Sequence, residues 1–480
     1  MRPVFEVLSA EERAQIHERT LHVLETTGMR VDTPQGRDIL REAGAHVDDT
    51  TCMVKFPPDL VERSLKSARR ELTLGARRPG WSHPTGAGRT TLVAAGEATM
   101  TKDPLTGEIR PGTREDWNVG TRLIDAMDEI GVYWLMVSST EQQQEPAGSA
   151  VAQEVKYMAK VQRSFSKHVQ DSSESPEAMR YQLEILAAIF GGRDEVARLH
   201  PYSFLLTPFS PLVMERHPTE SALALSGWDI PVAVMPMPMA GTTAPASLAA
   251  TVLLGNCEVL GCLCLLEAAE PGRPVIYAPI FATMRPGTGA LTNDAAHSAL
   301  GAACTEMARH YGLPSLSFGF ESDHVVTDAQ IGYEKALSCL TTMLSRPDIL
   351  VGPGSLGGAM VWSAEQTVID CEVFRLSERI CQGISLDDRL LDDVIGAVGP
   401  GGHFLGERST RRLIQAGELT LPGLGWHRSR EAWEASGQPS LLDQAHERVE
   451  QLLADHEPVP LPDDVERELQ RLVDSAGELS

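Results

Sequence analysis

Aromatic rings and carboxylates stand at the ends of apolar runs between Pro274 and Cys371. The runs PVIYAPIF and PSLSFGFESDH end in side chains able to carry chemistry, namely Tyr277, Phe281, Phe318, Phe320, Glu321, Asp323 and His324. Ring faces and a carboxylate are both negative, so together they attract a small organic cation. This pattern favours a cation site over a site for a phosphate or a hydride carrier.

Further candidates lie near the ends of other apolar runs. They are His168 in FSKHVQD, Phe209, Gly352 and Gly354 in VGPGSLGG, Trp362, and His403 in GPGGHFLGE. The Gly-rich loop contains no Lys or Arg, so we expect close approach by a flat ligand or a partner there rather than phosphate binding. The structural alternatives stay open: the rings as core packing, the histidines as hydrogen-bonded scaffold, and Asp323 as a helix cap.

Eight apolar β-type runs, each followed by a helical pattern, predict a TIM (β/α)8 barrel. The predicted strands are Glu97–Lys102, Val132–Ser138, Phe165–Gln170, Tyr202–Thr207, Val232–Met237, Val275–Ile280, Ser315–Phe320 and Ile349–Gly352. We divide the chain into a mainly helical N-terminal extension (1–95), the barrel (96–384) and a C-terminal helical extension packed on it (385–480). In such a barrel the working side chains lie at the carboxyl ends of the strands, which form its mouth. We therefore expect Phe281, Phe320, Glu321 and His324 to share one cavity there.

Composition excludes several classes of function. The net charge of −24 argues against a nucleic-acid partner, which needs a basic face. No long apolar run lacks charge, and the N-terminus has no apolar core of a secretory signal, so we expect a cytoplasmic protein with no membrane contact. The eight cysteines show no zinc-ligand spacing, which predicts free thiols and no metal of the protein's own. We find no nucleophile elbow, Walker loop, dinucleotide fingerprint or HExxH motif.

Five long segments, in this order, resemble the corrinoid-dependent trimethylamine methyltransferase family. They are MPMAGTTAPASLAATVLLGNCEVL, PGRPVIYAPI, SDHVVTDAQIGYEKAL, VGPGSLGGAMVWSAEQTVIDCE and GPGGHFLGERSTRRL. With the C-terminal LLADHEPVPLP, the resemblance covers nearly the full length. It implies an enzyme that moves an N-methyl group to the Co(I) corrinoid of a small partner protein.

One departure from the family pattern points to the substrate. Family members that demethylate trimethylamine carry pyrrolysine in the barrel, and the resemblance puts that position at Phe320 or Glu321, which are ordinary residues here. A quaternary ammonium already carries positive charge and leaves as a neutral amine, so it needs alignment rather than activation. The chain is thus similar to the pyrrolysine-free relatives that demethylate glycine betaine and related betaines.

The resemblance also assigns roles. Glu321 and His324 are the candidate catalytic residues. The substrate-binding set is His168, Phe209, Tyr277, Phe281, Phe318, Phe320, Asp323 and Trp362. Gly352, Gly354 and His403 are expected to face the corrinoid partner, and a homo-oligomer is expected. Two alternatives remain: a barrel lyase or anion-binding enzyme that uses the 351–358 loop, and a non-catalytic member that only binds a ligand or partner.

Overall fold

The computed structural model describes residues 5–94, 96–103, 106–139, 149–386, 390–419 and 422–478. Its centre is a sheet of eight parallel strands, closed by a parallel bridge between Tyr277 and Ser315. In chain order these strands are Thr91–Val93, Ile130–Tyr133, His168–Asp171, Tyr202–Leu206, Val232–Val234, Val275–Tyr277, Leu316–Phe318 and Ile349–Val351. The predicted (β/α)8 barrel with helices at both ends is confirmed.

The first predicted strand was wrong. The barrel begins at Thr91–Val93, which pairs with the second and the last barrel strands, so it starts before residue 96. Met100–Lys102, inside the predicted strand, pairs instead with Val361–Trp362 and Ile109–Pro111 in a small separate sheet. Both segments are short and β-prone, and only the pairing partners available in the fold distinguish them.

Alternate residues of each strand face the lumen or the surrounding helices, as the period of two requires. The lumen is filled by apolar side chains that form one buried cluster, including Val93, Val132, Leu205, Ile276 and Ile349. Leu72, Leu74 and Trp81 belong to the same cluster; they lie just before the first strand, on it and just before the second strand of the hairpin Thr73–Gly75 and Ser82–Pro84. This hairpin packs at the amino ends of the strands: the His83 ring contacts the carbonyl oxygen of Asp348, just before the last strand. The interior is therefore a packed core.

Helices follow the strands and cover the barrel. Within the described residues the helices are Ala10–Thr26, Pro34–Glu42, Pro58–Ser67, Arg114–Ala126, Ala150–Ser164, Pro176–Phe190, Arg193–Leu199, Arg216–Ala224, Leu248–Ala269, Ala295–Tyr311, Ala329–Ser345, Ala364–Gln382, Asp392–Val398, Arg408–Gln415, Arg430–Ala435, Leu441–Asp455 and Asp463–Gly477. A helix that follows a strand starts at the mouth and runs back to the amino ends. The starts of these helices therefore surround the candidate site.

Short strands outside the barrel form small sheets with the loops that follow its strands. Met29–Val31, His46–Asp48 and Met53–Lys55 form a sheet with Val213–Met214, from the loop after the fourth barrel strand. At the mouth, Met239–Ala240 pairs with Ala282–Met284 and Leu291–Thr292, and Ser355–Leu356 pairs with Val361–Trp362. These pairings fix the loops that follow the fifth, sixth and eighth barrel strands.

The helix Leu248–Ala269 is long and apolar enough to cross a bilayer by composition alone. It is covered instead by three N-terminal helices, Ala10–Thr26, Pro34–Glu42 and Pro58–Ser67, and packs on the barrel. Most of its side chains are buried, including the free thiols of Cys257, Cys262 and Cys264. It is a core helix whose outer face the N-terminal extension covers.

Candidate functional site

Tyr277 and Phe281 face the helix layer rather than the mouth, where they were expected to bind substrate. The Tyr277 hydroxyl donates a 3.0 Å hydrogen bond to the side-chain oxygen of Asn256 on the helix Leu248–Ala269. Phe281 is fully buried against Gly255 of that helix, where an added Cβ would approach the ring to 2.6 Å. The two share a parity, as expected, but that parity is the one opposite to the lumen-facing Ile276 and Ala278.

Phe318 and Phe320 are also core residues. The Phe318 ring packs against the His297 ring with centroids 4.5 Å apart. Phe320 is fully buried, and its amide donates a 3.1 Å hydrogen bond to the Ser338 hydroxyl on the helix Ala329–Ser345. Its φ of 69° lies in the left-handed region, which a bulky residue rarely adopts. This turn ends the strand and carries the next residue, Glu321, toward the helices.

His168 lies at the wrong end of the barrel for a substrate ligand. His168 is the first residue of its strand. Its ring contacts the carbonyl oxygen of Gly75, in the hairpin at the amino ends of the barrel strands, at 3.3 Å and the Ser203 hydroxyl at 2.9 Å. Complete burial lowers the pKa of His168 to about 3, so the ring is neutral. The alternative of a structural, hydrogen-bonded histidine fits this placement.

The glycines of the VGPGSLGG loop serve packing inside the chain. A Cβ on Gly352 would lie 2.1 Å from the Gly319 carbonyl oxygen, and one on Gly354 would lie 2.2 Å from the Thr367 hydroxyl. Both glycines are buried with positive φ, so they do not face a partner or ligand. Trp362 is 3% exposed and packs within the same layer. The Gly319 backbone and the Thr367 and Trp362 side chains fill the space that a side chain at these two positions would occupy, so the two glycines are required by packing inside the chain.

Asp323 and His324 hold the loops of the mouth. The Asp323 carboxylate accepts hydrogen bonds from Thr292, Asn293 and Arg285, which fixes the loop after the sixth strand. Burial would raise the pKa of Asp323, but these hydrogen bonds outweigh it and lower the pKa. The His324 ring lies 3.2 Å from the carboxylate of Asp328, the N-cap of the next helix. Neither residue lines the cavity that contains Glu321, so the expectation that His324 shares a cavity with Glu321 was wrong.

Phe209 is the predicted ring that reaches the surface of the mouth. It is 59% exposed on the loop after the fourth strand. Three other apolar side chains on loops that follow barrel strands are about equally exposed: Met237, Val326 and Met360. We call these four side chains the mouth rim. His403 is exposed on the chain beyond the helix Ala364–Gln382, which ends at the opposite side of the barrel.

Glu321 lines a cavity of about 380 Å³ between the helices Ala295–Tyr311 and Ala329–Ser345. We call it the Glu321 cavity. Its other lining residues are Phe5, Asn293, Asp294, Ala295, His297, Ser298, Ala299, Tyr333, Glu334, Leu337, Ser338 and Thr341. Tyr333 and Leu337 are 57% and 61% exposed, so the cavity opens to solvent. Its volume suits a small molecule.

The polar groups of this cavity are unusually poor in partners. The Glu321 carboxylate accepts only a long 3.4 Å hydrogen bond from the Ser355 hydroxyl among the described residues. His297 is 3% exposed, and neither of its ring nitrogens has a hydrogen-bond partner in the described part of the chain; the side-chain oxygen of Asn293 also lacks one. Buried polar groups normally find partners, so groups left open around a cavity suit a polar ligand.

Burial sets the charge of the two central groups. It raises the pKa of Glu321 to about 7, although the nearby Lys335 lowers it in part. It lowers the pKa of His297 to about 4, so that ring is neutral at pH 7. A carboxylate that ionises near neutral pH and a neutral imidazole line the same cavity, together with Asp294 and Glu334. This arrangement favours a ligand with a cationic end.

A buried ion pair fixes the wall behind Glu321. Lys335 Nζ lies 2.6 Å from the Asp370 carboxylate, and both side chains are almost completely buried. The Gly354 amide and the Gln366 side chain also donate to Asp370, at 2.8 Å each. Such a pair holds its geometry because hydrogen bonds reach both oxygens of the buried carboxylate. It ties the helices Ala329–Ser345 and Ala364–Gln382 to the loop that contacts Glu321.

Sequence reasoning found Glu321 but missed His297, Lys335 and Asp370. His297 lies in the first turn of the helix Ala295–Tyr311, and nothing in its neighbours signals a cavity. Lys335 and Asp370 are charged residues on the inner faces of amphipathic helices. Because unpaired charges are rarely buried, this pattern in the sequence could have indicated that the two residues form a buried ion pair. Within the described residues, no three His, Cys, Asp or Glu side chains are placed to hold a metal ion.

The eight-stranded parallel barrel is the architecture of a (β/α)8-barrel enzyme. Its candidate small-molecule cavity lies beside Glu321, after the seventh strand, between two of the helices that cover the barrel. The sequence model of the trimethylamine methyltransferase (MTTB) family matches residues 1–477, and the chain belongs to this family. Membership of this family supports a methyltransferase role for the chain.

Individual relatives support the same assignment. The chain is 31% identical over 469 residues to trimethylamine methyltransferase MttB of Desulfitobacterium hafniense strain DSM 10664 / DCB-2, covering 97% of this chain and 93% of the relative. It is 29% identical over 478 residues to the glycine betaine methyltransferase of D. hafniense strain Y51, covering 99% and 98%. Among solved structures, the Methanosarcina barkeri monomethylamine methyltransferase MtmB matches with a TM-score of 0.47 and 10% identity, over 98% of this chain and 92% of that one.

Proposed function

We propose that this chain transfers an N-methyl group from a quaternary amine, a betaine of the glycine betaine class, to the corrinoid of a separate small protein. The observation that carries the proposal is the Glu321 carboxylate, poorly partnered and ionising near neutral pH on the wall of a small open cavity. In the family resemblance, this position or its neighbour Phe320 is the one occupied by pyrrolysine in enzymes that act on trimethylamine.

The chemistry of the donor supports a quaternary amine. When a quaternary ammonium gives up a methyl group, the nitrogen departs as a neutral amine. The leaving group therefore carries no charge that the protein has to neutralise. The chain then needs only to hold the cation and point one methyl outward. Orientation of this kind can contribute ~7–11 kcal/mol at best to a methyl transfer.

The residues of the cavity divide this work. Ionised Glu321 attracts the ammonium, and the neutral His297 ring offers an N–H to the carboxylate of a betaine. Stabilising the cation too strongly would slow the reaction, since positive charge leaves nitrogen in the transition state. A single carboxylate whose pKa lies at about 7 is a moderate rather than a strong anchor.

The mouth rim fits a protein partner. Phe209, Met237, Val326 and Met360 are 49 to 59% exposed on four loops of one barrel end. Apolar groups clustered on one face are typical of a binding surface. A corrinoid presented by a partner at this end supplies the nucleophile for the methyl group, while the barrel supplies only binding and alignment.

The test is a methyl-transfer assay with reduced free cobalamin and a panel of amines: glycine betaine, other betaines, choline and trimethylamine. Demethylated product is measured by mass spectrometry, and the corrinoid by absorbance. We expect turnover of at least one betaine and none of trimethylamine. Turnover of trimethylamine alone, or of no amine by a folded protein, would refute the proposal.

Calorimetry separates charge recognition from shape. Glu321→Gln should weaken betaine binding by ~1–2 kcal/mol, the scale of one partly desolvated charge contact. Binding of tert-butylacetate, in which carbon replaces the nitrogen, should be weak and change little. Equal losses for both ligands would leave Glu321 with a role in shape only.

A further inference from the structure

A second cavity lies at the amino ends of the barrel strands, opposite the mouth. It has a volume of about 630 Å³, and its wall includes Ser315 and Asp348, which directly precede the seventh and eighth barrel strands. We call it the basal cavity. Three arginines also line it: Arg70, Arg309 and Arg346. It shares no lining residue with the Glu321 cavity, so the two cavities are separate.

The three arginines bind backbone carbonyls rather than carboxylates. Within the described residues, each guanidinium donates to one carbonyl oxygen in the last turn of a helix: Arg70 to Leu65, Arg309 to Ser345 and Arg346 to Cys381. Such a bond caps the helix end and uses one of the five N–H donors of a guanidinium. Helix capping therefore accounts for only a small part of what these side chains can bind.

The acidic residue on the wall does not neutralise them. Asp348 is the only carboxylate among the described residues that line the cavity, and it is 7% exposed. It accepts hydrogen bonds from the Ser315 amide at 2.8 Å, the Ser315 hydroxyl at 2.9 Å and the Gly86 amide at 2.5 Å. The cavity therefore carries excess positive charge, in a chain with 66 acidic and only 42 basic residues.

Arg346 supplies a separate sign of an open donor. Its Nε atom is buried and has no hydrogen-bond partner in the described part of the chain. Buried donors normally find an acceptor, so this one suits an acceptor that a ligand brings. Arg346 also has a left-handed φ of 59° at the C-cap of the helix Ala329–Ser345, a place that favours glycine. A binding role for the side chain would explain why a strained arginine stands there.

The chemistry of the wall selects an anion rich in oxygen atoms. Guanidinium groups bind phosphate oxygens through paired N–H donors, and three of them suit a group with several oxygens. Gly86 and Gly88 border the cavity, and an added Cβ at either would meet no atom within 4 Å, so the approach on this side is open. The volume lies in the range of small-molecule sites, which favours a compact ligand over a macromolecular surface.

We propose that the basal cavity binds a small phosphorylated anion through Arg70, Arg309 and Arg346. The helices Ala295–Tyr311 and Ala329–Ser345 line both this cavity and the Glu321 cavity. An occupant therefore adjoins the walls of the candidate active site without entering it. The site takes no part in the methyl transfer itself, and the proposal does not depend on the proposed substrate.

The first test is titration calorimetry of the full chain with pyrophosphate, inorganic phosphate and adenosine diphosphate, at fixed ionic strength in a buffer without phosphate. We expect one bound anion per chain, and the order of affinities shows whether a free phosphate or a larger phosphorylated molecule fits best. Arg70→Gln combined with Arg309→Gln should weaken binding roughly tenfold or more. Arg19→Gln is the matched control, because it removes an exposed positive charge from the helix Ala10–Thr26 outside the cavity, and it should leave binding unchanged.

Two results of this titration would overturn the proposal. One is the absence of binding for all three anions. The other is binding that the double variant retains at full strength, since the anion would then sit elsewhere.

Chemical modification tests the site on the unaltered protein, so that no folding defect can interfere. Phenylglyoxal reacts with accessible guanidinium groups, and Arg19, Arg70 and Arg309 are all exposed. Saturating pyrophosphate should slow the modification of Arg70 and Arg309 several-fold, as mapped by mass spectrometry, and leave Arg19 unaffected. Equal protection of all three arginines, or protection of none, would overturn the proposal.

Discussion

Removing the charge of Glu321 should stabilise the protein at high pH and not at low pH. The pKa of Glu321 rises from the ordinary 4.5 to about 7, because burial penalises the carboxylate. The folded state thus holds this proton more tightly than the unfolded chain does. The stabilising contribution is fully present below about pH 4.5 and is lost as the pH rises through about 7. Glu321→Gln has no proton to lose, so it escapes this loss.

The size of the effect follows from the two pKa values. Their difference corresponds to ~3 kcal/mol, at ~1.4 kcal/mol for each pKa unit. Unfolding entropy is ~2.1 cal/mol/K per residue, so a chain of 480 residues has ~1 kcal/mol/K. The Tm of Glu321→Gln relative to wild type should therefore increase by ~3 °C between pH 5 and pH 8.5.

The assay is differential scanning calorimetry of both proteins at half-unit steps between pH 5 and pH 8.5. Glu18→Gln is the control, because it removes a carboxylate that is exposed on the helix Ala10–Thr26. The same Glu321→Gln protein should bind betaine more weakly, so that one substitution gains stability and loses affinity. A Tm difference that does not change with pH, or that falls toward high pH, would refute the reasoning.

Three further outcomes are expected. Lys335→Met should lower the free energy of unfolding by ~3–5 kcal/mol in chemical denaturation, since it leaves the Asp370 carboxylate buried without a counter-charge. Adding Asp370→Leu should recover most of that loss, and a double variant with no recovery would contradict a simple ion pair. Gly354→Ala should destabilise the chain, because the φ of Gly354 is +90° and an added Cβ would collide with its neighbours, whereas Gly332→Ala lies on a helix where an added Cβ meets no other atom and should stabilise the chain by ~0.4–1 kcal/mol. The two Tm shifts should therefore have opposite signs. Phe209→Ala should change stability by less than ~0.5 kcal/mol but reduce methyl transfer to a protein-bound acceptor, and unchanged transfer would remove the mouth rim from partner binding.

Local signals in the sequence were sufficient for the fold class. Seven of the eight barrel strands overlap their predicted runs, because a strand buried on both faces is a continuous apolar run that turns interrupt. Ser9 caps the helix Ala10–Thr26 with Glu12 in a reciprocal capping box, as the spacing predicts. The net charge, the number and spacing of the cysteines and the lack of a long uncharged apolar run can likewise be read from the sequence without a structure.

The direction in which a side chain points was beyond the sequence. Parity correctly grouped Tyr277 with Phe281, but it could not say whether that group faces the lumen or the helices. The positive φ of Phe320 then changes the direction of the next residue, so that Glu321 lines the cavity between two of the covering helices.

The amino-acid sequence by itself determined the barrel, the family and the presence of an ionisable group after the seventh strand, because these depend on runs of neighbouring residues. Only the tertiary structure decided that Glu321 ionises near neutral pH and shares a cavity with His297, which lies 24 positions earlier in the chain. Burial and proximity belong to the packed molecule: Glu321 draws its pKa from helices and loops that are distant in sequence, and no local pattern encodes that environment.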